Sequence, residues 1–107
     1  MPELPEVETT KNAILPFKGK KLKRIIVNNP SLRWPVDEKL INKIKDVKVL
    51  SISRRAKYIF LNLDEITIII HLGMTGTFRI QKLGSNETRK HDHVVFEFSK
   101  EILIFSD

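Results

Sequence analysis

The first three residues, Met1-Pro2-Glu3, carry the least ordinary chemistry in the chain. A small second residue favours loss of the initiator methionine, which would leave Pro2 with a free secondary amine. An α-amino group titrates near ~8, so part of it is unprotonated at neutral pH without the burial that a lysine nucleophile needs. A secondary amine that attacks a sugar C1′ forms an iminium ion with no N–H left to lose. The ion stays cationic, acidifies the C2′ proton and invites elimination of the flanking phosphates. Glu3, the next residue, is placed to protonate the opening sugar or to shuttle a proton. A plain structural reading stands beside this one, because proline and acids are both favoured at a helix start.

Other candidates lie further along. Lys57 ends the run Arg54-Arg55-Ala56-Lys57 and offers a flexible point charge suited to a phosphate oxygen, or is simply a surface strand lysine. His71 follows an apolar run and precedes Gly73, at a strand end where a phosphate could approach; otherwise it is a core histidine bonded to a carbonyl. Met74, between Gly73 and Gly76, falls on a tight turn that would expose it, although methionine is usually core packing. In His91-Asp92-His93 the two histidines share one strand face, but two ligands without a third make a weak zinc signal. Arg33 and Arg55 could add charge toward a polyanion or pair with a local acid.

These residues need elements to hold them. Glu3 to Leu15 has early carboxylates, a later Lys11 and then Pro16, an order that predicts a first helix stopped by the proline. A second short helix is predicted from Asp37 to Lys45, with Leu40, Ile41 and Ile44 on one face and Asp37 as cap. Strands are predicted at Leu22–Asn28, Val47–Ser53, Lys57–Leu63, Thr67–Leu72, Gly76–Gln81, His93–Phe98 and Ile102–Phe105, separated by turn-forming residues. The fold class is therefore α+β and mainly β: an antiparallel sandwich or flattened barrel with an N-terminal helix and one further short helix. Ile59, Leu61 and Leu63 alternate with Tyr58 and Phe60, which predicts a strand covered on both faces. Lys82–Lys90 is the expected mobile loop.

Composition narrows the function classes. The 107 residues, 41% of them hydrophobic, suit one domain that can bury an ordinary core. The absence of cysteine excludes a thiolate nucleophile, a disulfide framework and a cysteine zinc site. No purely apolar run, Ile68-Ile69-Ile70 included, comes near the ~18 residues of a membrane span. The net charge of +6 is unevenly spread. Residues 1–10 hold three acids and no base, residues 11–57 hold 14 bases and 3 acids, and residues 58–107 hold 5 bases and 7 acids. Positive charge gathered in one half is expected of a surface that meets polyanionic backbone, or of lysines such as Lys39, Lys43 and Lys45 that only solvate a face.

Met1-Pro2-Glu3-Leu4-Pro5-Glu6-Val7-Glu8-Thr9-Thr10 resembles the opening of the bacterial formamidopyrimidine-DNA glycosylases, repair enzymes for oxidised purines. Leu32-Arg33-Trp34-Pro35-Val36, Arg54-Arg55-Ala56-Lys57-Tyr58, Ile70-His71-Leu72-Gly73-Met74-Thr75-Gly76 and Lys90-His91-Asp92-His93-Val94 agree in the same order, across nearly the whole chain. The related endonuclease VIII branch shares the Pro-Glu start, but Leu4 and the His-Leu-Gly-Met segment fit the purine-lesion branch better.

The resemblance implies a bifunctional glycosylase and lyase acting on 8-oxoguanine and formamidopyrimidines in double-stranded DNA. Pro2 is then the Schiff-base nucleophile, Glu3 the acid–base residue and Glu6 a supporting carboxylate. Lys57 and His71 are backbone contacts, Met74 fills the space left by a flipped base, and His91 is a contact on the DNA side.

It also implies a bacterial cytoplasmic location, a monomer and no membrane partner. No cofactor is expected within this chain, which would be the N-terminal catalytic domain. The helix-two-turns-helix region and the zinc finger that follow in family members are expected to be missing here, leaving the isolated piece weak or inactive on duplex lesions. Two readings of other classes remain: a noncatalytic basic β-domain that binds nucleic acid, and a structural piece that binds nothing.

Overall fold

The computed structural model describes residues 3–28, 38–72, 76–84 and 92–106. Helix α1 spans Glu3–Ile14 and buries Val7 and Ile14, two turns apart on one stripe. The α-helical part ends one residue before the predicted boundary. Pro16, with no N–H to donate, sits inside a following 3-10 turn at Leu15–Phe17. Gly19 then takes φ 85°, a left-handed conformation suited to glycine, and its N–H donates to the Val49 carbonyl at 2.7 Å. The chain is thereby turned into the sheets.

Nine strands are described where seven were predicted, because two of the seven stretches break at corners of the sandwich. Leu22–Asn28 becomes β1 (Lys21–Leu22) and β2 (Arg24–Val27), and Val47–Ser53 becomes β3 (Val47–Lys48) and β4 (Ser51–Arg55). At the first break the Lys23 N–H donates to Glu97 while its carbonyl accepts from Asp46, so one residue bridges two sheets. At the second, Val49 donates to Lys20 and Leu50 to Asn62. Hydropathy continues through both points, but the hydrogen-bond partner changes. The second helix, α2, is shorter than predicted, Glu38–Asn42. Ile44 follows in a turn, donates to Ile41 and is buried. The expected cap Asp37 lies outside the described residues, as do residues 85–90 of the expected mobile loop.

β4, β5 (Tyr58–Asn62) and β6 (Thr67–His71) form a three-stranded antiparallel meander. A four-stranded antiparallel sheet has the order β2-β8-β9-β7, with β7 at Thr77–Lys82, β8 at Asp92–Glu97 and β9 at Glu101–Ser106. β1 and β3 pair as a short two-stranded sheet. The inner faces meet over one core, to which Ile52, Ile59, Leu61 and Ile70 come from the meander and Ile25, Phe96, Leu103 and Phe105 from the larger sheet. Val7, Ile14 and Phe17 close its edge, and the Phe17 and Phe98 rings lie 4.4 Å apart. The predicted fold class is therefore the observed one.

The expected double covering of Lys57–Leu63 is not observed. Ile59, Leu61 and Leu63 are buried, but α1 packs on that same face, leaving Tyr58 43% exposed on the other. Asn62 donates to Ser51 and Ser53 and accepts from Thr67, forming a polar ladder across the open face. The strand buried on both faces is β9, where Ile102, Leu103, Ile104 and Phe105 are all buried. It lies between β8 and β7.

Candidate active site

β4 and β5 are joined by a two-residue loop, Ala56-Lys57, closed by the direct pair Arg55 and Tyr58. Ala56 has φ 53°, a left-handed conformation that costs a residue with a Cβ about 1–2 kcal/mol. The loop keeps it because the surroundings fix both of its sides. The Arg54 Nη1 donates to the Ala56 carbonyl at 3.1 Å, and the Lys57 carbonyl accepts the Leu72 N–H at 3.2 Å. The hairpin tip is thus fastened to the end of β6, where His71 is the last residue.

Tyr58 and His71 are register partners, so their side chains share the open face. Their rings stack with centroids 4.6 Å apart and an interplanar angle of 28°. Beyond His71, buried Leu72 accepts the Gly76 N–H at 2.8 Å, which brings residues 72 and 76 together. A side chain at 76 would collide with the Leu72 carbonyl, so this closure requires glycine. Arg55 is exposed beside this end of the sheet, with no carboxylate partner among the described residues.

The helix points to the same end. Gly19, beyond the C-terminal end of α1, is bonded to Val49, whereas Glu8 meets Arg54, further along the chain, at 2.7 Å. α1 therefore runs antiparallel to β4, and its first turn lies toward Ala56-Lys57. Glu8 also pairs with Lys11 at 2.7 Å. Hydrogen bonds from Lys11 first and Arg54 second hold its carboxyl below the usual carboxylate range.

Of the residues singled out from sequence, Lys57 and His71 are brought to one end of the meander. Glu3 and Glu6 lie in the first turns of α1, although their side chains lie outside the described part. Pro2, Met74, His91 and Arg33 lie outside the described residues. His93 is buried at a register irregularity of β8, and its carbonyl accepts the Asn28 N–H. Among the described residues no three His, Cys, Asp or Glu side chains gather as a metal site would require. No described helix is long and apolar enough to cross a membrane.

Sequence reasoning missed the Glu8–Arg54 pair and the Tyr58–His71 stack. One signal for the first was present: Arg54 alternates with Ile52 onto the core-facing side of β4, and a charge on an apolar face needs a partner.

A family model for the formamidopyrimidine-DNA glycosylase N-terminal domain matches residues 1–107. A formamidopyrimidine-DNA glycosylase of Acinetobacter baumannii is 40% identical over 107 residues, covering 100% of this chain and 38% of that protein. One from Hydrogenovibrio crunogenus is 51% identical over 96 residues, covering 88% and 34% respectively. The chain thus spans less than two-fifths of these relatives. Among solved structures, the Lactococcus lactis enzyme in complex with FAPY-dG-containing DNA superposes with a TM-score of 0.87 at 31% identity, over 97% of this chain and 40% of that one. The same enzyme bound non-covalently to DNA containing an AP site gives 0.88 at 31% identity, with the same coverage.

Proposed function

The chain belongs to the formamidopyrimidine-DNA glycosylase family through its N-terminal domain, and from that membership we propose that it supplies the nucleophile and part of the phosphate grip of a base-excision enzyme for oxidised purines. The observation that carries the reading is a convergence. The first turn of α1, the hairpin lysine Lys57 and the strand-end histidine His71 all lie toward one end of one sheet. Solved relatives hold FAPY-dG and abasic DNA, the substrate and intermediate classes that this chemistry requires.

In the proposed sequence, Pro2 freed of Met1 attacks C1′, and the C1′–base bond breaks as the N–C1′ bond forms. The base leaves with a proton, and the attacking nitrogen loses its own. The nitrogen lone pair then expels O4′, which Glu3 protonates, giving the iminium ion. Removal of a C2′ proton yields an enamine whose electrons break the C3′–O bond and release the 3′ phosphate. Lys57 neutralises phosphate charge beside the reacting sugar, His71 contacts the backbone, Glu6 supports Glu3, Met74 fills the vacated stack and His91 contacts the DNA. The zinc that the resemblance associates with other family segments has no fitting ligand set here, since the chain has no cysteine, and no step runs through it.

The test is borohydride trapping on a single-stranded oligonucleotide with a preformed aldehydic abasic site, followed by peptide mapping. The expected adduct is on Pro2 and depends on removal of Met1. An adduct on a lysine, or none from protein that begins at Pro2, would overturn the assignment.

One observation favours the noncatalytic reading. Lys21 and Lys48 stand directly opposite each other on β1 and β3, with no carboxylate partner among the described residues, near the Gly19–Val49 junction at the other end of β4. Salt-dependent binding that survives charge reversal at Lys57 and is lost on reversal at Lys21 and Lys48, without an adduct, would support it.

A further inference from the structure

Resting on that reading, we infer that Arg54 is a positioning residue: it fixes the start of α1, and with it the terminal amine, against the loop that presents Lys57. Three observations join at its guanidinium. The side chain points to the core-facing side of β4, in register with Ile59, and is only 26% exposed. Its Nε donates to Glu8 at 2.7 Å, spanning 46 positions of sequence, and its Nη1 donates to the Ala56 carbonyl at 3.1 Å. That carbonyl belongs to the residue held at φ 53° immediately before Lys57.

Glu8 is itself paired on its other oxygen with Lys11, which restrains the carboxylate against following a displaced arginine. It lies five residues, about 7.5 Å of helix rise, from Glu3. One planar fork therefore sets the position of the helix and the direction of the turn together. Lysine, with a single charged nitrogen, cannot reproduce two bonds in fixed relative directions.

The consequence concerns reaction rate more than affinity. Attack on C1′ requires the amine and the phosphate grip to stand in a fixed relation, and a displacement of ~1 Å can cost ~100-fold in rate. Arg54→Lys keeps the charge that DNA senses at long range but loses the fork. Glu8→Gln removes the charge from the other partner and leaves Arg54 in place.

The experiment measures the borohydride-trapping rate constant at saturating abasic oligonucleotide, and separately the concentration for half-saturation. Wild type, Arg54→Lys and Glu8→Gln are compared, with folding checked by circular dichroism. In parallel, Asn12→Cys, the single cysteine of an otherwise cysteine-free chain, carries a nitroxide, and line broadening of the Ala56 and Lys57 amides is read with and without each substitution.

The expected result is a ~10- to 100-fold fall in the saturated rate for both variants. Half-saturation should stay within ~3-fold, and broadening should change at Ala56 and Lys57 but not at Ile102–Phe105. An unchanged saturated rate, or a loss confined to half-saturation, overturns the inference. If the wild type itself gives no adduct, the functional reading fails on its own. The broadening then decides the positioning: a change local to the hairpin upholds it, and unaltered spectra overturn it. Should Arg54→Lys not fold, Glu8→Gln decides by the same criteria.

Discussion

Ile68-Ile69-Ile70 in β6 and Ile102-Leu103-Ile104-Phe105 in β9 read almost alike, yet the fold treats them oppositely. β9 lies between two strands, and all four of its apolar residues are buried. β6 is at the edge of the meander, where Ile70 is buried and Ile69 is 59% exposed. The difference separates a strand buried on both faces from one that leaves a face open. Tyr58 and His71 stack on that open face, and the Lys57 loop lies at the same end of the sheet, with α1 running toward that end on the opposite, core-facing side. The buried strand supplies the rigidity against which the open face can display groups for binding.

The largest effect that separates the two sheets is truncation of their apolar residues. Leu103→Ala and Ile104→Ala should each cost about 2–5 kcal/mol in urea unfolding, because each leaves a cavity in a packed layer. Ile69→Ala should stay within about 0.5 kcal/mol, since its side chain already meets solvent. If Ile69→Ala proves as costly as the other two, the open face is covered in solution and the comparison breaks. Equal midpoints for wild type and Ile69→Ala would sharpen it.

The same contrast shows how far the sequence could be read. Alternation and turn residues located α1 and the strand stretches, and Gly73 after an apolar run placed His71 at a strand end, because these are local signals; Lys57, expected at the head of a strand, lies in the turn before it. Local signals cannot say which stretch will be covered on both faces. They also hide the corners at Lys23 and at Val49-Leu50, where hydropathy runs on while the hydrogen-bond partner changes. Glu8 and Arg54 look like two ordinary surface charges until a helix is laid antiparallel to β4, and Tyr58 meets His71 only through the β5–β6 register. Long-range pairing decides both contacts, and no window of sequence contains it.

A smaller effect probes the strain at the open sheet's tip. Ala56→Gly removes a Cβ from a left-handed conformation and should stabilise the protein, where a glycine introduced into a regular strand destabilises it. The relief of about 1–2 kcal/mol is partly offset by the greater freedom of glycine in the unfolded chain, leaving a net gain of up to about 1 kcal/mol. Thermal unfolding should show a midpoint a few degrees higher. A fall in midpoint would mean that the turn is not strained, and the division between a relaxed sheet and a strained one would need redrawing.

The finest discrimination is electrostatic, and it concerns the tie between α1 and the open sheet. Lys11 and Arg54 hold the Glu8 carboxyl below its ordinary value of 4.5 in the folded protein, so between that value and the lower folded one the unfolded chain binds more protons. The stabilisation from Glu8 is therefore fully present above pH 4.5 and is lost as pH falls through the folded value. Unfolding midpoints of wild type and Glu8→Gln, measured from neutral pH downward, should differ most at neutrality and converge below the ordinary carboxylate value. High salt should shrink the neutral-pH difference, because Glu8 is partly open to solvent. A difference that persists undiminished in acid would show that glutamine disturbs the packing of α1. The helix would then be held to the meander by shape, as the two sheets are held to each other, and not by charge.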